Sequence, residues 1–229
     1  MTDNSKTIAC IGWGSLVWDP RSLPLHGTWQ NDGPPLPVEF ARESGTRPGK
    51  RCISLVICAD VPRVQTCWAL LDVPDIRTAR DELGRREYEE AKPDWIEANI
   101  GFWDGASGTS SGMEAETIAA WAAERGFAGA VWTSLPCGFR KIRGTMPTVQ
   151  AVVSYLRALD AVDKPGAEKY ARSAPPRSTR PTGALSRKPS AGRRSLERLQ
   201  HAAVGLRQAS GRCPLLTLAN PDGTTSRLR

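Results

Sequence analysis

Four short apolar segments stand at the start of the chain, ahead of every segment with helical spacing, and this order limits the possible folds most strongly. Each is rich in Val, Ile, Leu or Trp and is bounded by Pro, Gly or Asp, which predicts strands. They cover residues 7–13, 36–43, 52–59 and 64–73, and a fifth predicted strand covers residues 130–135. Helices are predicted over residues 75–91, from a capping box of Ser111 and Glu114 to Gly126, and over residues 148–159. Strands first and helices later, without regular alternation, predict an α+β fold rather than a doubly wound parallel sheet.

The composition changes after Tyr170, which divides the chain into a predicted domain over residues 1–170 and a tail over residues 171–229. The tail holds 12 of the 31 Lys and Arg residues but only 2 of the 24 Asp and Glu residues. The net charge of +7 therefore belongs to the tail, and residues 1–170 are slightly acidic. A segment with so few large apolar residues is predicted to be disordered. Its charge suits nucleic acid or another acidic partner, but the predicted domain gives no reason to expect a nucleic-acid partner.

Several functional classes lack their sequence features. No apolar run reaches the ~18 residues of a membrane span, and residues 1–20 lack the features of a secretory signal, so a cytoplasmic protein without a membrane partner is expected. The six cysteines form no CxxC pair and the chain has only two histidines, His26 and His201, so no metal site is expected. The cysteines are interpreted as buried thiols, and His26 as a loop residue rather than a catalytic base.

The first predicted strand ends in Gly12-Trp13-Gly14-Ser15-Leu16. Without a third glycine or a predicted helix after it, this segment does not match the dinucleotide-binding fingerprint. Residues 17–24 are predicted to be a loop, which leaves two interpretations of the glycines. They form an ordinary tight turn, or the backbone amides around Gly14, Ser15 and Leu16 form a nest that binds an anion.

The first predicted helix carries one carboxylate, Glu87, on its apolar side. At 3.6 residues per turn, Glu87 lies about 40° around the helix from Leu83. Glu82 and Glu89 fall on the opposite side, and Glu90 is the only rival position. An acidic group on an apolar stripe is costly unless it is paired or used. Two interpretations remain open. Glu87 forms an ion pair with Arg85, Arg86 or Arg42, or it is a functional carboxylate in a partly dry pocket, where a carboxyl becomes a better base.

The order of these segments resembles the γ-glutamylcyclotransferase-like superfamily, with likeness to a bacterial-type branch and to a glutathione-degrading branch. The resemblance is carried by GWGSL, WDPRSLP, PLPVEFARES, the strand from Val64 to Val73, and Leu83-x-x-x-Glu87, and it covers about residues 7–160. It implies a small mixed β-barrel flanked by helices. The sequence departs from the family at Trp13, where tyrosine is usual, and at Tyr88, where glycine is common in the best-known branches.

The resemblance also implies an activity: a γ-glutamyl amide cyclises to 5-oxoproline and releases an amine, as in glutathione metabolism. Such an enzyme is a lyase or acyltransferase that needs no metal or cofactor, and its partner is a small γ-glutamyl compound. By position, Glu87 matches the general acid/base, and Trp13, Gly14, Ser15 and Leu16 match the substrate-binding turn. Glu39 is expected to have a supporting or structural role, and it shares with Glu90 the place of alternative acid/base.

Three alternatives remain open from the sequence. In the first, the chain is a non-catalytic module of the same fold that binds a small molecule or another protein, and Trp13 and Tyr88 favour this alternative. In the second, it is a cyclotransferase for γ-glutamylamines or a related lyase. The third concerns the tail: PRSTRPTG can be written in codons that spell IDTPYR in a shifted frame, and relatives tend to carry IDTPYR after an APP triplet, so residues from about Arg177 onward are a possible frameshift product.

Overall fold

The computed structural model describes residues 7–174, and the predictions for residues 175–229 lie outside this part. The described residues form ten strands and six α-helices. The strands are β1 (Ile8–Gly12), β2 (Leu25–Gln30), β3 (Pro35–Leu36), β4 (Val38–Ser44), β5 (Cys52–Ile57), β6 (Val64–Gln65), β7 (Cys67–Leu71), β8 (Ile100–Asp104), β9 (Thr109–Ser111) and β10 (Gly129–Thr133). The helices are α1 (Ser15–Trp18), α2 (Ile76–Glu87), α3 (Pro93–Asn99), α4 (Ala115–Glu124), α5 (Val149–Ala158) and α6 (Lys164–Ser173), with a 3-10 turn at Arg140–Ile142.

The predicted α+β class is confirmed, but the sheet does not close into a barrel within residues 7–174. Six strands form one mixed sheet in the order β2-β7-β1-β10-β8-β9, in which β1 and β10 are parallel and the other neighbours antiparallel. The remaining strands form two separate pairs, β3 with β6 and β4 with β5. Pro37, which has no amide hydrogen, separates β3 from β4, and Thr66 separates β6 from β7, so the ladder is broken at both places.

The two faces of the six-stranded sheet carry different helices. Along β1, Ala9 and Ile11 lie in one apolar cluster with α4, while Ile8 and Cys10 lie in a second cluster with α2. This alternation follows from the two-residue period of a strand. The helices α5 and α6 form a third cluster with β4 and β5. No helix in the described part is long and apolar enough to cross a membrane.

Several local predictions need correction. The capping box is wrong: Ser111 lies in β9, and Glu114 precedes α4 in a left-handed conformation without capping it through its side chain. A helical turn, α1, follows Gly14 where a loop was predicted, and His26 lies exposed in β2 rather than in a loop. The helix α6 follows α5, where no further helix was predicted, and it ends at Ser173.

The direction of α2 places its last residue near the end of β1. The start of α2 touches the start of β10, because an added Cβ at Gly129 would lie 2.9 Å from Ile76 Cδ1. The helix then runs along β10 and ends at Glu87. The carboxyl ends of the parallel strands β1 and β10 lie at the same edge of the sheet, which is a usual place for ligand sites.

Candidate functional site

The turn after β1 is built around Gly14. This residue has φ 59° and ψ −143°, a conformation that side chains other than glycine rarely adopt. A Cβ added there would also lie 2.6 Å from the Tyr170 hydroxyl. Val17 donates to the Gly14 carbonyl at 3.1 Å, whereas the Leu16 amide donates to no other described residue. The turn therefore contains a backbone amide, that of Leu16, without a hydrogen-bond acceptor among the described residues.

The side chains of this turn lie mostly in the core. Trp13 is buried, and its indole N–H donates to the Leu55 carbonyl at 3.2 Å. Leu16 is buried in the cluster that includes α2. Ser15 points its hydroxyl toward Arg86, with 3.4 Å between Ser15 Oγ and Arg86 Nη2. The predicted binding role of Trp13, Gly14 and Leu16 thus falls on their backbone, while Ser15 has a polar side chain at the site.

Glu87 is the last residue of α2, and its side chain is 19% exposed. Its Oε1 accepts a hydrogen bond from Arg86 Nη1 at 2.6 Å. The position on the apolar side of the helix is consistent with the periodicity, since Ala79 and Leu83 on the same stripe are buried. The ion pair with Arg86 was one of the interpretations left open by the sequence.

Arg86 connects the helix to the turn. Its side chain is only 3% exposed, and besides Glu87 and Ser15 its Nη2 also donates to the Asp19 carbonyl at 2.5 Å. A single guanidinium thus bridges the Glu87 carboxylate and the segment that follows Gly14. The Nε of Arg86 is buried and has no partner among the described residues. Sequence reasoning named Arg86 only as a possible ion-pair partner, although it lies about 20° around the helix from Ala79, a position that indicates burial.

Two further groups surround Glu87. Arg42 of β4 donates to the Pro136 carbonyl at 2.6 Å. Burial, together with the Arg143 charge, lowers the pKa of Arg42 to about 10, and the Glu87 carboxylate opposes this shift. Beneath them, burial raises the pKa of the Cys10 thiol to about 12, so this thiol is neutral at physiological pH.

Tyr170 is the residue that sequence reasoning missed. It lies on α6, and its hydroxyl oxygen accepts a hydrogen bond from the Leu55 amide at 3.3 Å. The Ser15 amide also donates toward this oxygen, so the phenol occupies one of the backbone amides of the turn. The positions of Ala167, Tyr170, Ala171 and Ala174 have helical spacing and indicated a buried helix face at this point of the sequence.

The two rival carboxylates lie elsewhere. Glu39 is buried in β4, where Oε1 accepts from the Phe40 amide at 2.9 Å and its charge acts on Cys58. Glu90 is exposed, with 3.5 Å between one of its carboxylate oxygens and the Tyr88 hydroxyl. Glu87 alone of the three is connected to the turn through Arg86, which favours it as the functional carboxylate.

Neither a metal site nor the cavity at the other edge of the sheet involves Glu87 in the described part. Its His, Cys, Asp and Glu residues form no group of three or more that suits a metal ion. A cavity lined by Ile8, Asp75, Ile76 and Trp103 lies at the amino-terminal ends of β1 and α2, at the opposite edge from the turn. Glu87 does not line it.

Comparisons of the chain with protein-family models, curated proteins and solved structures found no match.

Proposed function

We propose that the protein is a γ-glutamylcyclotransferase-like enzyme that converts a γ-glutamyl amide into 5-oxoproline and a free amine, with Glu87 as general acid/base. One observation carries the proposal: the buried Arg86 guanidinium contacts both the Glu87 carboxylate and the turn that begins at Gly14. A proton carrier and a backbone anion site beside each other are what this reaction needs.

The reaction is an intramolecular acyl transfer. The α-amine of the substrate attacks its own γ-carbonyl carbon, a five-membered lactam forms, and the bond from that carbon to the departing nitrogen breaks. The two protons lost by the attacking nitrogen end on the departing nitrogen, and Glu87 carries them one at a time. Because both reacting groups belong to one molecule, correct orientation can supply about 7–11 kcal/mol, and the positioned acid/base roughly 10²–10⁴-fold in rate.

The charges of the site suit an anionic substrate. Arg86 and Arg42 place two guanidinium groups around the single carboxylate of Glu87. In the proposed complex the substrate α-carboxylate binds the Leu16 amide and this positive field, which fixes the conformer that closes the ring. The substrate is a small γ-glutamyl compound, and neither nucleic acid nor a membrane takes part.

The fold of the family and a cytoplasmic location belong to the same proposal. The chain runs from β3 through Pro37 into β4 and from β6 through Thr66 into β7, so a path of strand pairing and chain connections leads from β5 to the six-stranded sheet. We interpret this path as part of the wall of the family's small barrel, which stays open within residues 7–174. The five cysteines of the described part are free thiols, which is typical of a reducing compartment.

One observation favours a second candidate, a non-catalytic binding module of the same fold. The Tyr170 hydroxyl shares the turn, and Arg86 already neutralises Glu87. The turn and the Glu87 carboxylate thus both have partners within the protein itself.

The test is a panel of γ-glutamyl compounds: a γ-glutamyl amino acid, glutathione and a γ-glutamylamine, with 5-oxoproline measured by chromatography. The proposed enzyme releases 5-oxoproline from at least one of them, and Glu87→Gln lowers kcat at least about 100-fold. Glu90→Gln, an exposed carboxylate three residues further on, is the matched control and keeps full activity. Thermal stabilisation by these compounds without any 5-oxoproline would favour the binding module, and an active Glu87→Gln variant would refute the role of Glu87.

A further inference from the structure

Tyr170 is held rigidly against the proposed site by contacts from three directions. Its hydroxyl oxygen accepts from the Leu55 amide at 3.3 Å and is also acted on by the Ser15 amide. Its ring meets Trp18 edge-on at 5.3 Å between centroids and Phe40 at 6.2 Å. These contacts place the Tyr170 hydroxyl at the turn.

The hydroxyl hydrogen has no acceptor within residues 7–174. The phenol oxygen accepts hydrogen bonds from backbone amides, while no described group accepts one from it. Leaving a buried donor without an acceptor costs about 1–3 kcal/mol. A ligand oxygen at the turn would accept this hydrogen bond and remove the cost, so the Tyr170 hydroxyl is suited to bind a ligand oxygen.

The hydroxyl also lies within the electrostatic reach of Glu87. Burial, only partly offset by the Leu55 amide, raises the pKa of the Tyr170 phenol above its usual range, and the Glu87 carboxylate adds to the rise. The phenol therefore keeps its proton at neutral pH and acts as a donor. It is 2.6 Å from where a Cβ on Gly14 would lie, so the hydroxyl lies against the turn that Arg86 connects to Glu87.

The proposed reaction leaves one charge without a stabilising group. When the α-amine attacks, its electron pair forms the new C–N bond, and the carbonyl π pair moves to the γ-carbonyl oxygen. The turn binds the α-carboxylate and Glu87 carries the protons, so neither stabilises this oxyanion. We propose that Tyr170 is a further catalytic residue, whose hydroxyl donates a hydrogen bond to the γ-carbonyl oxygen of the substrate. When the oxyanion collapses, the C=O bond re-forms, the amine departs, and Tyr170 has kept its proton throughout. This inference rests on the proposed function.

Tyr170→Phe removes the donor and keeps the ring. We expect kcat to fall about 10²–10³-fold, as for the loss of one oxyanion donor, with KM changed less than about threefold, because the bond is strongest in the transition state. Tyr155→Phe is the matched control: Tyr155 packs against the same apolar cluster, its buried hydroxyl has no partner in the described part, and it is on α5. Thermal denaturation of both variants separates folding from catalysis. Fluorotyrosine at position 170 provides a version that retains the hydroxyl, and its kcat is expected to change with phenol acidity while KM stays constant.

A binding measurement separates this inference from the proposed function. The lactam oxygen of 5-oxoproline is the former γ-carbonyl oxygen and is also a neutral amide oxygen, so calorimetry with 5-oxoproline should show affinity about two- to threefold weaker in Tyr170→Phe and unchanged in Tyr155→Phe. If no γ-glutamyl compound is turned over but this difference in affinity is found, the proposed function fails and the donor role stands. If the protein is active and Tyr170→Phe behaves like Tyr155→Phe in both assays, the inference is wrong and the proposed function stands. Neither turnover nor 5-oxoproline binding by the native chain would overturn both.

Discussion

Substitution of Arg86 by methionine tests the contact on which the site depends. The guanidinium is 3% exposed and makes three polar contacts, to Glu87, Ser15 and the Asp19 carbonyl. Removing one partner of a buried ion pair costs about 3–5 kcal/mol. Because the Glu87 side chain keeps some contact with water, we expect the cost of breaking this ion pair to lie at the lower end of that range. The loss of the charge-assisted bond to Asp19 adds about 1.5–3 kcal/mol. We therefore expect Arg86→Met to lower the free energy of unfolding by about 4 kcal/mol or more.

Urea denaturation measures this change, and the neighbouring arginine provides the control. Arg85 is 51% exposed and pairs with Glu82, which is 31% exposed, so Arg85→Met should cost at most about 1 kcal/mol. The double variant Arg86→Met/Glu87→Gln should be more stable than Arg86→Met by about 1–2 kcal/mol, since it removes the unpaired charge. Equal costs for Arg86→Met and Arg85→Met would refute the bridge between α2 and the turn.

Two further predictions concern the turn and the buried thiols. Gly14→Ala should lower the free energy of unfolding by about 1–3 kcal/mol for its backbone conformation and by about 1–3 kcal/mol more for crowding against Tyr170. Gly27 also has a positive φ but lies in open space, so Gly27→Ala should be clearly less destabilising in thermal denaturation. Equal costs for the two variants would contradict the crowding. Burial raises the pKa values of the Cys10 and Cys58 thiols to about 12, so between pH 9 and 12 the native chain holds protons that the unfolded chain releases, and stability should fall by about 1.4 kcal/mol per pH unit for each thiol. Urea denaturation across pH 8–10 should show a shallower slope when both are replaced by alanine, whereas identical slopes would mean that the native thiols ionise normally.

The sequence predicted those elements whose residues carry strong patterns of their own. The strands β1, β5, β7 and β10 are apolar runs between breakers, and α2 has a continuous apolar stripe, so all five lie close to their predicted bounds. The strand β2 is partly exposed and less apolar, and the buried residues of α6 are two alanines, Ala167 and Ala171, which give a weak periodic pattern. Both were missed for this reason.

The candidate site likewise contains one residue that the sequence could identify and contacts that it could not. Glu87 could be found from helical periodicity, because the buried residues that define its stripe, Ala79 and Leu83, belong to the same helix. The bond from Arg86 to Asp19 joins positions far apart in the chain, and its acceptor is a backbone carbonyl that any residue type would provide. The approach of Tyr170 to the turn likewise depends on how α6 packs against β5, which no local pattern encodes. The open sheet differs from the barrel that the family resemblance implied, and its strands are interrupted at Pro37 and Thr66.

A crystal structure of the Glu87→Gln variant with a bound γ-glutamyl compound would show whether the turn and residue 87 bind one substrate, because the proposed loss of proton transfer should leave the substrate intact. We expect density at the carboxyl ends of β1 and β10, with the α-carboxylate at the Leu16 amide and the α-amine within hydrogen-bonding distance of residue 87. Density for the compound in the cavity beside Ile8 and Trp103 instead, with an empty turn, would contradict the account.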